Sequence, residues 1–159
     1  MSVRAADVEY LRRCAELARQ AVEAGDEPFG SLLVDPDGVV RFEDHNHVAA
    51  GDATRHPELA IALWAVEHLS PQQRAASTVY TSGEHCPMCA AAHAWVGLGR
   101  IVYAASSAQL TQWLCEWDAP APPVAALPIT TVAPGVPVDG PAPELTETMK
   151  ALYERAFRR

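Results

Sequence analysis

Apolar residues at Leu11, Cys14, Ala15, Ala18 and Val22 recur at the i, i+3, i+4 spacing of one helical face between about Asp7 and Glu23. Gly25 suits the C-terminal stop. Two strand-like runs follow, Phe29-Gly30-Ser31-Leu32-Leu33-Val34 and Val39-Val40-Arg41-Phe42-Glu43-Asp44, around the turn Asp35-Pro36-Asp37-Gly38, and together they predict a hairpin. From Pro57 to about Leu69 the chain is apolar on nearly every side, which predicts a helix buried between layers. Ser70-Pro71 opens a short turn. Thr78-Val79-Tyr80-Thr81-Ser82 reads as a strand broken by Gly83, and Pro87 to Trp95 as a helix closed by Gly97 and Gly99. Arg100-Ile101-Val102-Tyr103-Ala104 is a further strand, after which Ser107 caps a helix carrying Trp113 and Trp117. A last helix from about Glu144 places Leu145, Met149, Leu152, Tyr153 and Ala156 on one face. Its arginines, Arg155, Arg158 and Arg159, come late, as the helix dipole prefers. Strands alternating with helices after a hairpin predict an α/β protein, a three-layer α/β/α sandwich around a mixed sheet of about five strands.

Composition adds boundaries to this pattern. The 159 residues suit one domain over 1–159, with a core over 5–118, a connector over 119–143 and a C-terminal helix over 144–158. The connector holds eight of the thirteen prolines and reads as extended, with one short strand candidate at Ile129-Thr130-Thr131-Val132. Net charge is −8 and Lys150 is the only lysine, which argues against a nucleic-acid partner held through many phosphates. No apolar run is long enough to span a bilayer, and the first residues lack the apolar core of a signal peptide, so cytoplasmic residence is expected. In such a reducing compartment four cysteines predict no disulfide framework, and a C-x-x-C pair points to metal or redox chemistry.

The chemistry concentrates at two helix starts. Pro87 at the first helical position makes Cys86 the N-cap and puts Cys89 at the third position, where the helix dipole and free N–H groups favour thiolate. Pro57 does the same upstream, placing His56 at the N-cap and Glu58 in the first turn. One imidazole and two thiolates leave a tetrahedral zinc one open position, the arrangement of a catalytic site.

This pair of motifs resembles the zinc deaminases of the cytidine deaminase-like superfamily, whose signature is H-x-E followed by P-C-x-x-C. The match covers His56, Glu58, Cys86 and Cys89, and its strand–turn–helix context extends over about residues 28 to 105. One departure is His85, which stands where the family has proline. The resemblance implies Zn2+ held by His56, Cys86 and Cys89, with Glu58 carrying protons between water, ring nitrogen and leaving amine. Glu84 becomes a second catalytic candidate, acting through its side chain or only its backbone. By position Asn46 is the expected hydrogen-bond partner of a substrate base, and Phe29 a pocket wall. The sequence Cys86-Pro87-Met88-Cys89-Ala90-Ala91 is similar to the branch of guanine deaminases and tRNA adenosine deaminases. The expected substrate is a free nucleobase or nucleoside, guanine or a cytosine-like aminopyrimidine or aminotriazine, with a tRNA adenosine deaminase as the alternative. A homodimer is expected from the same resemblance.

Other readings use the same residues differently. The Cys86–Cys89 pair after a strand also resembles a thioredoxin-like dithiol motif, which leaves His56 and Glu58 without a task. A four-ligand structural zinc recruiting His45 or His47 is another alternative; both should face away from Asn46 in an extended segment. Cys14 and Cys115 are expected to be small buried apolar groups, His68 and His93 surface or satisfied interior residues, and Trp64, Trp95, Trp113 and Trp117 core.

Overall fold

The structure is a computed structural model that describes residues 2–158; Arg159 of the expected late arginine cluster lies outside them. Its elements in chain order are α1 (Ala5–Glu23), β1 (Gly30–Val34), β2 (Val40–His45), α2 (Pro57–His68), α3 (Pro71–Ala76) and β3 (Thr78–Gly83). These are followed by α4 (Pro87–Trp95), β4 (Ile101–Ala105), α5 (Ser107–Glu116), α6 (Ile129–Val132), β5 (Val138–Asp139) and α7 (Thr146–Phe157). The five strands form one mixed sheet in the order β2-β1-β3-β4-β5. β1 is antiparallel to both β2 and β3, and β3, β4 and β5 run parallel.

Strand alternation sorts the core onto two faces. Leu32 and Val34 of β1, Tyr80 of β3 and Val102 and Ala104 of β4 pack with α1, α5 and α7. Leu33 and Val79, one residue out of phase, pack against Ile61, Ala62 and Ala65 of α2. Sheet and two helical layers make the expected sandwich. α1 lies so close to the sheet that a Cβ on Gly30 would stand 2.4 Å from Leu17 Cβ and 2.6 Å from the Cys14 carbonyl oxygen. Only glycine fits there.

A buried polar network ties three elements together. The Arg100 guanidinium donates two hydrogen bonds to Asp7, at 2.9 and 2.8 Å, and one to Asp139 at 2.7 Å. Tyr80 adds a bond to Asp7 at 2.9 Å. Burial alone would raise the Asp7 carboxyl, but the bonds from Arg100, the Arg4 N–H and Tyr80 overcome this and hold it well below the usual carboxylate range. Asp7 therefore contributes stability in full above its unfolded pKa of about 3.9 and loses it as pH falls further, through the folded value. Arg100→Ala leaves the carboxylates of Asp7 and Asp139 without their counter-charge and is expected to cost ~3–5 kcal/mol, read as a lower urea midpoint.

Several elements depart from the sequence expectation. Ile129–Val132 is a turn of helix, not a strand. Pro128 at its N-cap has no N–H for a ladder, and Ile129 is buried beside Ala90 and Ile101. The fifth strand is instead the pair Val138–Asp139, parallel to β4. Ser106, not Ser107, caps α5: its Oγ accepts the Gln109 N–H at 3.0 Å, and Gln109 Oε1 accepts the Ser106 N–H at 2.8 Å. α2 is covered on one side only, for Leu63 and Val66 are 61% and 51% exposed. Trp95 is 88% exposed, so it is no core residue, and Cys115 is exposed where Cys14 is fully buried. Trp113 is in the core, while Trp64 is half-buried between Phe42 and His68. No helix among the described residues is long and apolar enough to cross a membrane.

Candidate metal centre and active site

Both proline-led helix starts form as the sequence predicts. His56 is the N-cap of α2 and Cys86 the N-cap of α4, each with extended backbone and Pro at the next position. β2 and β3 both run antiparallel to β1, so the turn after β3 delivers Cys86 and Cys89 to the same edge of the sheet as the segment that leaves β2 for α2. His56 Nδ1 lies 3.6 Å from each of the two sulfurs. A tetrahedral zinc with bonds of about 2.3 Å to sulfur and about 2.0 Å to nitrogen holds those donor atoms roughly 3.6 Å apart, so the triangle fits the ion.

The electrostatics agree with this donor set. The Cys86 thiol is held down to about 4, first by its hydrogen bond with Cys89 and then, against burial, by His56 and the Cys89 backbone N–H. His56 is raised to about 9 by the hydrogen bond with Cys86. Cys89 is pushed up by its bond to Cys86 and by burial. A divalent cation in the triangle would displace the protons of Cys89 and of His56 Nδ1 and meet two thiolates and a neutral imidazole.

Glu58 is buried on the inner side of α2, and the sheet register explains how it is held. Ser31 and Thr81 face each other across the β1–β3 pair, on the α2 side of the sheet. Their hydroxyls, 2.9 Å apart, lie 3.2 and 2.9 Å from Glu58 Oε1. Burial raises the Glu58 carboxyl above its ordinary value.

Asn46 is fully buried just past β2. Its Oδ1 accepts the N–H groups of Glu27 at 3.3 Å and Val48 at 3.0 Å, and its own N–H donates to the Phe29 carbonyl at 3.0 Å. Backbone donors therefore fix the amide's orientation, and Nδ2 is left buried with no partner. The next residue, His47, donates its N–H to the Arg55 carbonyl at 3.0 Å, which ties this segment to the one that ends in His56. The Phe29 ring packs 5.6 Å from that of Tyr153 and beside Gly83, where a Cβ would stand 3.0 Å from Phe29 Cε1.

The two carboxylate oxygens of Glu84 are both taken by backbone N–H groups, Ile129 at 3.0 Å and Ser107 at 2.8 Å. The side chain thus joins the starts of α5 and α6 to the turn after β3. His85, in the place of the family's proline, is buried with neither ring nitrogen bonded, and its ring stands edge-on to His93 at 5.5 Å. Burial and the neighbouring His93 push its pKa well below the ordinary imidazole value. Cys86 still caps α4, so the departure leaves the cysteine turn intact.

Glu27, Ser31 and Thr81 went unmarked in the sequence. Glu27 is buried enough for its carboxyl to be raised, and it feels the charges of His56 and Cys86. It precedes Pro28 in an irregular segment, where no periodicity marks it. Ser31 and Thr81 carried a signal in the alternation that also assigns Leu33 and Val79 to the α2 face. His45 and His47 group with Asp26 and not with the cysteines, so neither joins the sulfur site. A dithiol role gives no use to the imidazole set between the two sulfurs.

Comparison with known proteins agrees with this geometry. Residues 4–105 match the family described as the cytidine and deoxycytidylate deaminase zinc-binding region. A probable cytosine deaminase of Schizosaccharomyces pombe is 33% identical over 119 residues, 74% of this chain and 71% of that protein. Guanine deaminase of Bacillus subtilis is 37% identical over 98 residues, 60% of this chain and 62% of its own length. A solved structure of guanine deaminase from Nitrosomonas europaea, 21% identical, shares the fold with a TM-score of 0.69 over 98% of this chain and 86% of that one. The chain belongs to the cytidine and deoxycytidylate deaminase zinc-binding family and is a deaminase-family hydrolase of C–N bonds with a His/Cys/Cys zinc-binding group.

Proposed function

We propose that the chain deaminates a free nucleobase or nucleoside by hydrolysis, guanine or a cytosine-like aminopyrimidine or aminotriazine, releasing ammonia. The observation that carries this reading is the buried, unpartnered Nδ2 of Asn46, a donor aimed by backbone hydrogen bonds and suited to the carbonyl or ring acceptor of a base. The net charge of −8 and the single lysine support a small substrate over a tRNA stem.

The site supports the following assignments. His56, Cys86 and Cys89 hold zinc, which when bound supplies a water that is nucleophilic at neutral pH. Glu58, with Oε1 fixed by Ser31 and Thr81, takes the proton of the attacking water, passes it to the ring nitrogen and carries one to the departing amine. Ammonia leaves as the carbon gains a carbonyl oxygen. Glu84 is assigned a positioning part, because both its oxygens hold backbone N–H groups. Phe29, braced by Tyr153, serves as a wall.

Asn46→Ala is expected to lower kcat/KM roughly 10–100-fold by leaving a substrate acceptor unpaired, with zinc content unchanged. Normal kinetics in this variant would return Asn46 to a turn role. Comparing kcat/KM for free bases with that for an anticodon stem-loop separates the two substrate readings, since preference for the stem-loop would favour the tRNA enzyme. Leu63, Val66 and Trp95 expose apolar surface on the neighbouring helices α2 and α4, which supports a homodimer through that face. Sedimentation as a monomer at micromolar concentration would remove that part. The four unpaired cysteines support residence in the cytoplasm, and secretion of the protein in an intact cell would oppose it.

A further inference from the structure

Asp26, His45 and His47 each bring one ligand atom to within 4.8 Å of the others, on segments separate from His56, Cys86 and Cys89. His45 is the last residue of β2, His47 lies two residues on, and Asp26 sits in the turn after α1. Alternation in the extended segment sends Asn46 inward and both imidazoles outward, where their rings lie 4.5 Å apart. All three side chains are half-buried, open enough for an aqueous ion to reach.

The hydrogen bonds around the two rings define which nitrogens are free. His45 Nδ1 lies 2.8 Å from the Asn46 carbonyl oxygen, and His47 Nε2 lies 2.8 Å from Asp44 Oδ1. A carbonyl and a carboxylate only accept, so these nitrogens carry the protons. The lone pairs of the neutral rings then fall on His45 Nε2 and His47 Nδ1. Metal-bound histidines show this arrangement, with the far N–H given to a backbone carbonyl or a carboxylate. Asp26 is also fixed in place, its Oδ1 accepting the Ala49 N–H at 2.8 Å.

We propose that Asp26, His45 and His47 form a second divalent transition-metal site, with two imidazole nitrogens and one carboxylate oxygen as ligands and Asp44 as the outer partner of His47. Such a donor set suits zinc, cobalt, nickel or copper over magnesium or calcium, which prefer oxygen throughout. The site encloses the bracket that aims Asn46. The N–H groups on Asn46 Oδ1 belong to Glu27, next to Asp26, and Val48, next to His47. An ion bound here would stiffen that bracket from outside the pocket.

Cobalt(II) titration of the metal-free full chain tests the site independently of any substrate. The central site reports through thiolate-to-cobalt charge transfer in the near ultraviolet. A second equivalent on nitrogen and oxygen ligands should bind with only weak visible d–d absorption. In the His45→Ala/His47→Ala double variant the charge-transfer band should persist, showing a folded central site, while the second equivalent is lost. Asp44→Asn should weaken the second equivalent by ~10–100-fold and spare the first. Uptake that ends with the charge-transfer band, or a second equivalent of unchanged affinity in the double variant, would overturn the proposal.

Discussion

Glu58→Gln is expected to lower turnover by ~10²–10⁴-fold with zinc content and thermal stability close to those of the parent chain. The amide matches the carboxyl in size and can still meet the hydroxyls of Ser31 and Thr81, which now hold Oε1 at 3.2 and 2.9 Å. What it loses is the capacity to take up and release a proton. Glu58 is no member of the triangle of His56, Cys86 and Cys89, so the metal should stay. Turnover within a factor of a few of the parent's would take Glu58 out of the proton path. The same geometry implies smaller losses for Thr81→Val, which removes one of the two groups that orient the carboxylate.

Cys86→Ala is expected to remove stoichiometric zinc, and turnover with it. Structural zinc sites in small domains bind with about 10–16 kcal/mol; losing one of three protein ligands should cost about a quarter to a third of that, ~10²–10⁴-fold in affinity. His56→Ala should act alike, because His56 Nδ1 closes the triangle at 3.6 Å from both sulfurs. Cys115→Ala is the matched control, an exposed thiol on α5 that should leave zinc untouched. Retention of stoichiometric zinc at the sulfur site by Cys86→Ala would break the ligand assignment.

The ligands and the main elements were legible in the chain because the signals for them are local. Proline at a helix start, a capping residue before it and a strand ahead of Cys86 are short-range features, and they place His56, Glu58, Cys86 and Cys89 within a turn of two helix N-termini. Asn46 was a candidate only through resemblance; its buried, unpartnered Nδ2 is a property of the folded chain. What escaped depends on contacts distant in sequence. Ile129-Thr130-Thr131-Val132 has the β-branched composition of a strand, yet Pro128, burial on α4 and the Glu84 carboxylate make it a helical turn. Trp95 and the outer side of α2 look like core by composition but lie exposed. Asp7, Arg100 and Asp139 form a network that joins residues over ninety positions apart, which no window of sequence reveals.

The most direct test of deaminase activity is ammonia release by the zinc-loaded chain from guanine, cytosine, cytidine, isocytosine, adenosine and aminotriazines, run beside Glu58→Gln. Ammonia is expected from guanine or a cytosine-like base, reduced by ~10²-fold or more in the variant. Ammonia from none of these compounds at full zinc occupancy, or equal release by both proteins, would contradict this expectation.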